Sequence, residues 1–406
     1  MRVHVVDPSA YTPPYDHALC LALAEAGAEV ELYTSRFDYG ETPAPEGYER
    51  HECFYRLAHR GLAGGRASTG GRSRARQAVK LAEHVPDMLR YRRAARVADV
   101  VHFQWLTVQP LDAHLLPRRR PPDSETRPGR PRLVLTAHDV LPREPRPGQL
   151  AAQRRLYRRF DAVVVHSEHG RGRLLEMGVD PARVHVIPHG AFAHLADPRA
   201  TAGAGLADGS GLPSRTKGPV VLCFGLLRPY KGLEVLLQAW RGVEAEGASD
   251  GPVDERDGES PELWIAGMPR MDIAPLLAAA PPSVRFVPRF VPDAELPAYF
   301  RRADLVVLPY LEADQSGVLF TALAFGKPLL LSDVGGFPEV AATGAARIVS
   351  AGDPAALRTA LRELLEDQAA RAAMAERARA AAAGPYSWAA VAEHTLELYR
   401  SLLPGV

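Results

Sequence analysis

The feature that most constrains this chain is a recurrence. Short, largely apolar runs alternate with longer helical stretches from one end of the sequence to the other. In the first half the runs fall at residues 3–6, 29–34, 100–103, 132–136, 162–165 and 184–187. In the second half they fall at 220–224, 263–266, 284–286, 305–308, 329–332 and 346–348. A strand that is apolar on both faces needs cover on both faces, so the pattern predicts parallel sheets sandwiched between helices. Between the two halves, residues 193–218 are rich in Gly, Ala, Ser and Pro and have no periodicity. That stretch reads as a linker. The expected organisation is a doubly wound domain over 1–195, a linker over 196–217 and a second doubly wound domain over 218–386. An amphipathic helix, SWAAVAEHTLELYRSLL, follows at 387–403.

Composition narrows the function classes. The 406 residues are 46% hydrophobic and 24% charged, with 49 Lys+Arg against 48 Asp+Glu. A net charge of +1 lacks the basic excess of a general nucleic-acid binder. The three cysteines, Cys20, Cys53 and Cys223, form no CxxC pair, which fits a reducing, cytoplasmic setting without zinc or redox motifs. The opening MRVHVVDPSA reads as a strand and a polar turn rather than a leader, and no apolar run reaches membrane-spanning length. Segments 66–80, 118–132 and 247–262 are charged and read as surface loops. The first is basic. It is a candidate for weak peripheral contact with an anionic membrane or acceptor, against the simpler reading of a solvated face.

Ligands of doubly wound sheets bind beyond the carboxyl ends of the strands, so polar residues just after each run are the candidates. A cleft between the two domains is the default site. After 220–224 come Gly225, Arg228 and Lys231, a glycine that lets backbone approach and two cations suited to a phosphate. Alone, they read equally as an exposed turn with solvated charges. After 305–308 a polar loop leads to a helix beginning near Gly317. Asp314 or Ser316 can cap that helix, and the backbone N–H groups of Gly317 and Val318 form a second anion site. His138 and Asp139 follow run 132–136; His138 is a candidate acid, base or hydrogen-bond donor. Asp16 precedes the first helix and is either its N-cap or a ligand for an acceptor hydroxyl. No DxD, HExxH, GxSxG, GxGxxG or P-loop is present, so no metal and no cofactor are expected.

With these residues in view, the chain resembles the retaining glycosyltransferases of family 4. The resemblance rests on VVLCFGLLRPYKGLEVLLQAW, RRADLVVLPY, SGVLFTALAFGKPLLLSDVGGFPE and YSWAAVAEHTLELYRSLL, with DAVVVHSEHGRGRLLEMGV and RVHVIPHGAF in the first half. It implies a GT-B fold: two Rossmann-like domains facing an interdomain cleft, an acceptor domain first, a donor domain second, and a last helix crossing back. Trp388 and Tyr399 are expected to anchor that helix. It also implies transfer of a hexose-type sugar from a nucleoside-diphosphate sugar to a hydroxyl of a polysaccharide, a lipid-linked sugar or a small metabolite. Arg228, Lys231 and the helix N-terminus at Gly317 would act on the diphosphate, and His138 matches a family histidine near the donor sugar. Arg289 stands near the expected base site, and Glu339 is expected to cap the helix after it. Tyr15 and Asp16 lie in a loop without the family's Gly-Gly pair and are candidates for the acceptor.

Two departures stand out. Leu226 holds the family's arginine place, with Arg228 as replacement. The paired glutamates, spaced E-x7-E, are replaced by Ala313 and Thr321, leaving Thr321 for the ribose and Glu312 or Asp314 as out-of-register substitutes. The alternatives are a sugar-nucleotide epimerase of the same fold and a non-catalytic sugar-nucleotide-binding protein.

Overall fold

The computed structural model describes residues 1–38, 40, 42–60, 74–106, 108–118, 130–141, 147–197, 218–248 and 260–403. The chain forms two compact units. One comprises residues 1–188 together with 388–406, and the other residues 189–387.

The first unit is built on seven parallel strands. They are β1 (Arg2–Asp7), β2 (Glu29–Ser35), β3 (Glu49–Phe54), β4 (Val100–Phe103), β5 (Arg132–Thr136), β6 (Ala162–Val165) and β7 (Val184–Val186), in spatial order 3-2-1-4-5-6-7. The second unit has six parallel strands: β8 (Val220–Phe224), β9 (Glu262–Ala266), β10 (Val284–Val287), β11 (Leu305–Leu308), β12 (Leu329–Ser332) and β13 (Ala346–Val349), ordered 10-9-8-11-12-13. The strand order reverses beside β1 in one sheet and beside β8 in the other, which puts each switch point at the loops following these strands. The central strands β4, β6, β11 and β12 are buried at every position. That is why they read as largely apolar runs, broken only by His102 in β4 and Ser332 in β12.

A small device sets the sheet register. Asp99, Asp161 and Asp304 each stand directly before a strand and accept an N–H from the first or second residue of the neighbouring one. Arg2 N, Leu133 N and Val220 N each donate at 2.8 Å. Helices cover both faces. Pro354–Glu366 turns Leu357, Ala360, Leu361 and Leu364 inward, and Asp353 caps it by accepting from the N–H groups of Ala355 and Ala356. In the first unit, Trp388–Leu402 packs on Pro13–Glu25, and Tyr399, fully buried, places its hydroxyl 2.6 Å from His102 Nδ1. Trp388 meets Tyr15 edge-on at 5.0 Å. Cys223 is buried in β8, and its thiol is pushed up to about 11 by burial, as suits an inert packing residue.

Several expectations change. β3 was not foreseen; only Phe54 of ERHECF is buried, so this edge strand carries no apolar run. The first helix starts at Pro13, not near residue 18, because proline is well placed in a first turn. The first unit ends at Pro188 rather than at residue 195. Of the supposed loop 66–80, residues 74–80 open the helix Arg74–Ala94, while 66–73 lie outside the described residues. Residues 119–129, 249–259 and 198–217, which make up most of the other two insertions and of the linker, also lie outside them.

Candidate functional site

In the second unit, β8 ends on Phe224 and the chain turns at Gly225, where φ is +108°. A Cβ there would lie 3.1 Å from Val318 Cγ2 and 3.5 Å from Lys231 Nζ. One glycine therefore marks the meeting point of the turn after β8 and the helix after β11. Gly232 explains how the turn is held. Its φ is +67°, and a Cβ would come within 2.0 Å of Pro309 O, so only glycine lets the backbone dock against the loop after β11. Leu311 N donates to Tyr230 O at 2.8 Å across the same seam. This docking brings Lys231, itself buried, against Tyr310: its ammonium donates to the phenol oxygen, and that hydroxyl lies 3.1 Å from Ser316 Oγ.

The helix Gly317–Ala324 begins on Ser316, whose side chain does not cap it. The Ser316 hydroxyl is turned to Tyr310, so the expectation that Ser316 caps this helix is corrected. Among the described residues the N–H groups of Gly317 and Val318 have no partner, whereas Leu319 N donates to Ser316 O. Two backbone donors at the positive end of a helix thus adjoin a buried ammonium, an arrangement that suits an anion.

The remaining sequence candidates divide. Arg228 is exposed at the mouth of the turn, and among the described residues no side chain engages it. Leu226, in the family's arginine place, is exposed as well, while Leu227 turns inward between them. Asp314 is buried, and its carbonyl accepts from Gly336 N at 3.2 Å; Glu312 is exposed. The Thr321 hydroxyl donates to Gly317 O at 2.9 Å within its own helix, so it has only lone pairs to offer a ribose. Arg289 is committed to Glu295, at 2.5 Å, rather than held open for a base. Glu339 lies in the first turn of Phe337–Ala341, whose cap position is Gly336.

In the first unit the ends of β4, β5 and β6 gather Gln104, His138 and His166. His166 is held neutral at ordinary pH, lowered to about 4 by burial. Its Nδ1 faces Ile187 O at 2.9 Å and must carry the proton, leaving Nε2 as an acceptor. His138 Nδ1, 3.2 Å away, is then the donor. His138 Nε2 lies 3.2 Å from Gln104 Oε1, while the buried Gln104 Nε2 has no partner. The bond to Gln104 runs from His138 Nε2–H to Oε1 as drawn, or from the Gln104 amide to Nε2 if that amide is turned by a half turn. The ring is fixed between Trp105, stacked at 4.8 Å, and the edge of Tyr15 at 4.7 Å.

Tyr15 and Asp16 are both buried, at 3% and 1% exposure. Asp16 lies inside the helix Pro13–Glu25 and is not its cap; Thr12 holds that position. Its carboxyl, beside that of Asp7, is raised well above the usual range, first by burial and then by the Asp7 charge. Asp7 accepts from the backbone N–H groups of Ser9, Tyr11 and Thr12. Asp16 also borders a small recess with His17, Thr34, Ser35, Tyr48 and Arg50.

Tyr310, Gln104, His166 and Asp7 escaped the sequence reading. All stand at or just beyond the carboxyl end of a strand, and that position was the signal available.

Residues 14–190 match the family model described as "Glycosyl transferase 4-like domain", and residues 218–367 match "Glycosyl transferases group 1". Among curated relatives, a D-inositol 3-phosphate glycosyltransferase from Kineococcus radiotolerans is 28% identical over 275 residues, covering 62% of this chain and 60% of the relative. The chain thus spans less than two thirds of that relative's length. Among solved structures, a sucrose-phosphate synthase from Thermosynechococcus elongatus aligns with a TM-score of 0.68 at 18% identity, covering both chains fully. The Anabaena protein HepE, solved in complex with UDP-glucose, aligns with a TM-score of 0.63 at 18% identity, covering 99% of this chain and 100% of its own. Among the described residues no helix is long and apolar enough to cross a membrane.

Proposed function

The chain belongs to the group 1, family 4-like glycosyltransferases, and from that premise we propose that it transfers a sugar from a nucleoside-diphosphate donor to an acceptor hydroxyl. The observation that carries the reading is the meeting of Gly225, Lys231 and the N-terminus of the Gly317–Ala324 helix at the switch point of the second sheet. A sugar leaving a nucleoside diphosphate deposits negative charge on the departing phosphates. A fixed ammonium and two preorganised N–H donors stabilise that charge without reorganising. Gly225 keeps the approach open. Arg228, at the mouth of the turn, adds a flexible charge that can follow the diphosphate. The donor is proposed to be a UDP-sugar, by likeness to the neighbour solved with UDP-glucose.

In this reading no metal takes part, because Lys231, Arg228 and the helix end supply the positive charge. Retention of anomeric configuration would follow from front-face attack assisted by the departing phosphate. His138, fixed by His166, Trp105 and Tyr15, positions the reacting sugar in this reading. The acceptor is proposed to be a sugar-like polyol bound by the first unit, by likeness to the D-inositol 3-phosphate glycosyltransferase relative.

The test is Lys231→Ala. Turnover is expected to fall at least about a hundredfold, the scale of losing one preorganised charge-stabilising donor, with the fold intact by circular dichroism. Turnover within threefold of wild type would remove Lys231 from the chemistry. A thermal-shift series of UDP-, GDP-, ADP- and TDP-sugars identifies the donor, since a ligand bound only by the native state raises Tm.

A further inference from the structure

We propose that the edge of the first sheet holds a divalent transition-metal ion, of the zinc class, that pins strand β3 to its neighbours. The site is made by sheet pairing and is invisible in linear spacing. His4 on β1 pairs in register with Glu31 on β2, and Glu31 with Glu49 on β3. His51 lies two residues beyond Glu49, so all four side chains point to one face.

The distances fit. His51 Nε2 lies 3.1 Å from Glu31 Oε2 and 3.6 Å from Glu49 Oε2, and His4 Nε2 lies 3.6 Å from Glu31 Oε1. The donor atoms of Glu31, Glu49 and His51 all lie within 4.8 Å of one another. A tetrahedral ion with bonds of about 2.1 Å separates its ligands by about 3.4 Å, so Glu31, Glu49 and His51 supply three ligands with small side-chain shifts, and His4, which faces the other oxygen of Glu31, completes the shell only after its ring moves toward the ion.

The second observation is independent of that cluster. His4 is fully buried, and among the described residues neither of its ring nitrogens has a hydrogen-bond partner. A buried, unbonded imidazole is costly, and its Nε2 is aimed at the Glu31 carboxylate. A metal ion supplies the missing partner. The Tyr33 hydroxyl donates to Glu31 Oε2 at 2.7 Å and fixes the carboxylate as an outer-shell group does. Two imidazoles with two carboxylates favour zinc, cobalt or nickel over magnesium or calcium, which take oxygen donors. Arg2, whose Nε is 4.0 Å from Glu31 Oε1, opposes the ion, but its closer partner is Glu29.

The consequence is structural. β3 buries little apolar surface, and an ion bridging β1, β2 and β3 would hold what packing does not. The full chain, treated with chelator and dialysed, is titrated with zinc chloride and separately with cobalt chloride. We expect one ion per chain at micromolar affinity, a rise in Tm of several degrees, and visible cobalt absorption of tetrahedral type. His51→Ala and Glu49→Gln, both at exposed or half-exposed positions, should each weaken binding at least tenfold and abolish the Tm rise while leaving the metal-free Tm unchanged. His4→Gln gives the same loss if it folds; if it does not, the two surface variants decide. Wild type that binds no ion below millimolar, or variants that bind as wild type does, would overturn the site.

Discussion

Asp16 keeps its proton because Asp7 has already taken the backbone donors. Three N–H groups converge on Asp7, so the charge settles there, and burial of both carboxyls forbids a second charge beside it. A carboxyl raised in the folded state favours folding below its unfolded value near 4, and that advantage is lost as pH rises. Asn at this position presents a neutral donor to Asp7 without that dependence. Asp16→Asn should therefore be at least as stable as wild type at pH 8, with an advantage that grows between pH 5 and pH 8. A variant several degrees less stable with an unchanged pH slope would mean that Asp16 is ionised. None of this was legible beforehand. The sequence offered a cap or a ligand, because both roles suit an aspartate near a helix start and the shift of that start to Pro13 was hidden.

At the scale of elements, the strands were legible wherever both faces are buried. β4, β5, β6, β8, β11 and β12 fall on the residues that their apolar runs mark. β3 was missed for the same physical reason: an edge strand half open to water keeps polar residues, and ERHECF has no run to find. The aspartates preceding β4, β6 and β11 tie each strand to its neighbour. Asp161 is the most enclosed case, accepting from Leu133 N and lying 3.5 Å from Arg132 Nη1. Asp161→Ala leaves the Leu133 N–H buried without an acceptor, which costs about 1–3 kcal/mol. A urea midpoint unchanged from wild type would show that water replaces the carboxylate. Among turns, Gly232 is the position that sequence could mark but not explain. The lysine-glycine pair was visible, whereas the carbonyl that excludes a side chain comes from Pro309, far along the chain.

At the scale of the molecule, buried imidazoles set an acid limit. His102 and His166 are lowered to about 3 and about 4, each chiefly by burial, against about 6.5 in an unfolded chain. As pH falls below about 6.5 the unfolded chain binds protons that the folded one refuses, so stability drops by about 1.4 kcal/mol per pH unit for each ring. Asp16 acts in the opposite sense, so the clean measurement is a difference. The stability deficit of His166→Gln against wild type should shrink by about 1.4 kcal/mol per unit between pH 6.5 and pH 4.5. A deficit independent of pH would mean that His166 titrates normally in the native state.

The sequence by itself determined the two parallel sheets, the family and the glycine-lysine turn, because burial on both faces and tight turns restrict residue type locally. It also exposed the departures at Leu226, Ala313 and Thr321. Only the tertiary structure decided that Lys231 meets Tyr310, 79 residues away, that His138 is fixed through His166 and Gln104, and that Asp16 is paired with Asp7. Parallel strands bring residues together through crossovers of arbitrary length. Proximity at their carboxyl ends follows strand order, and linear spacing carries no record of that order.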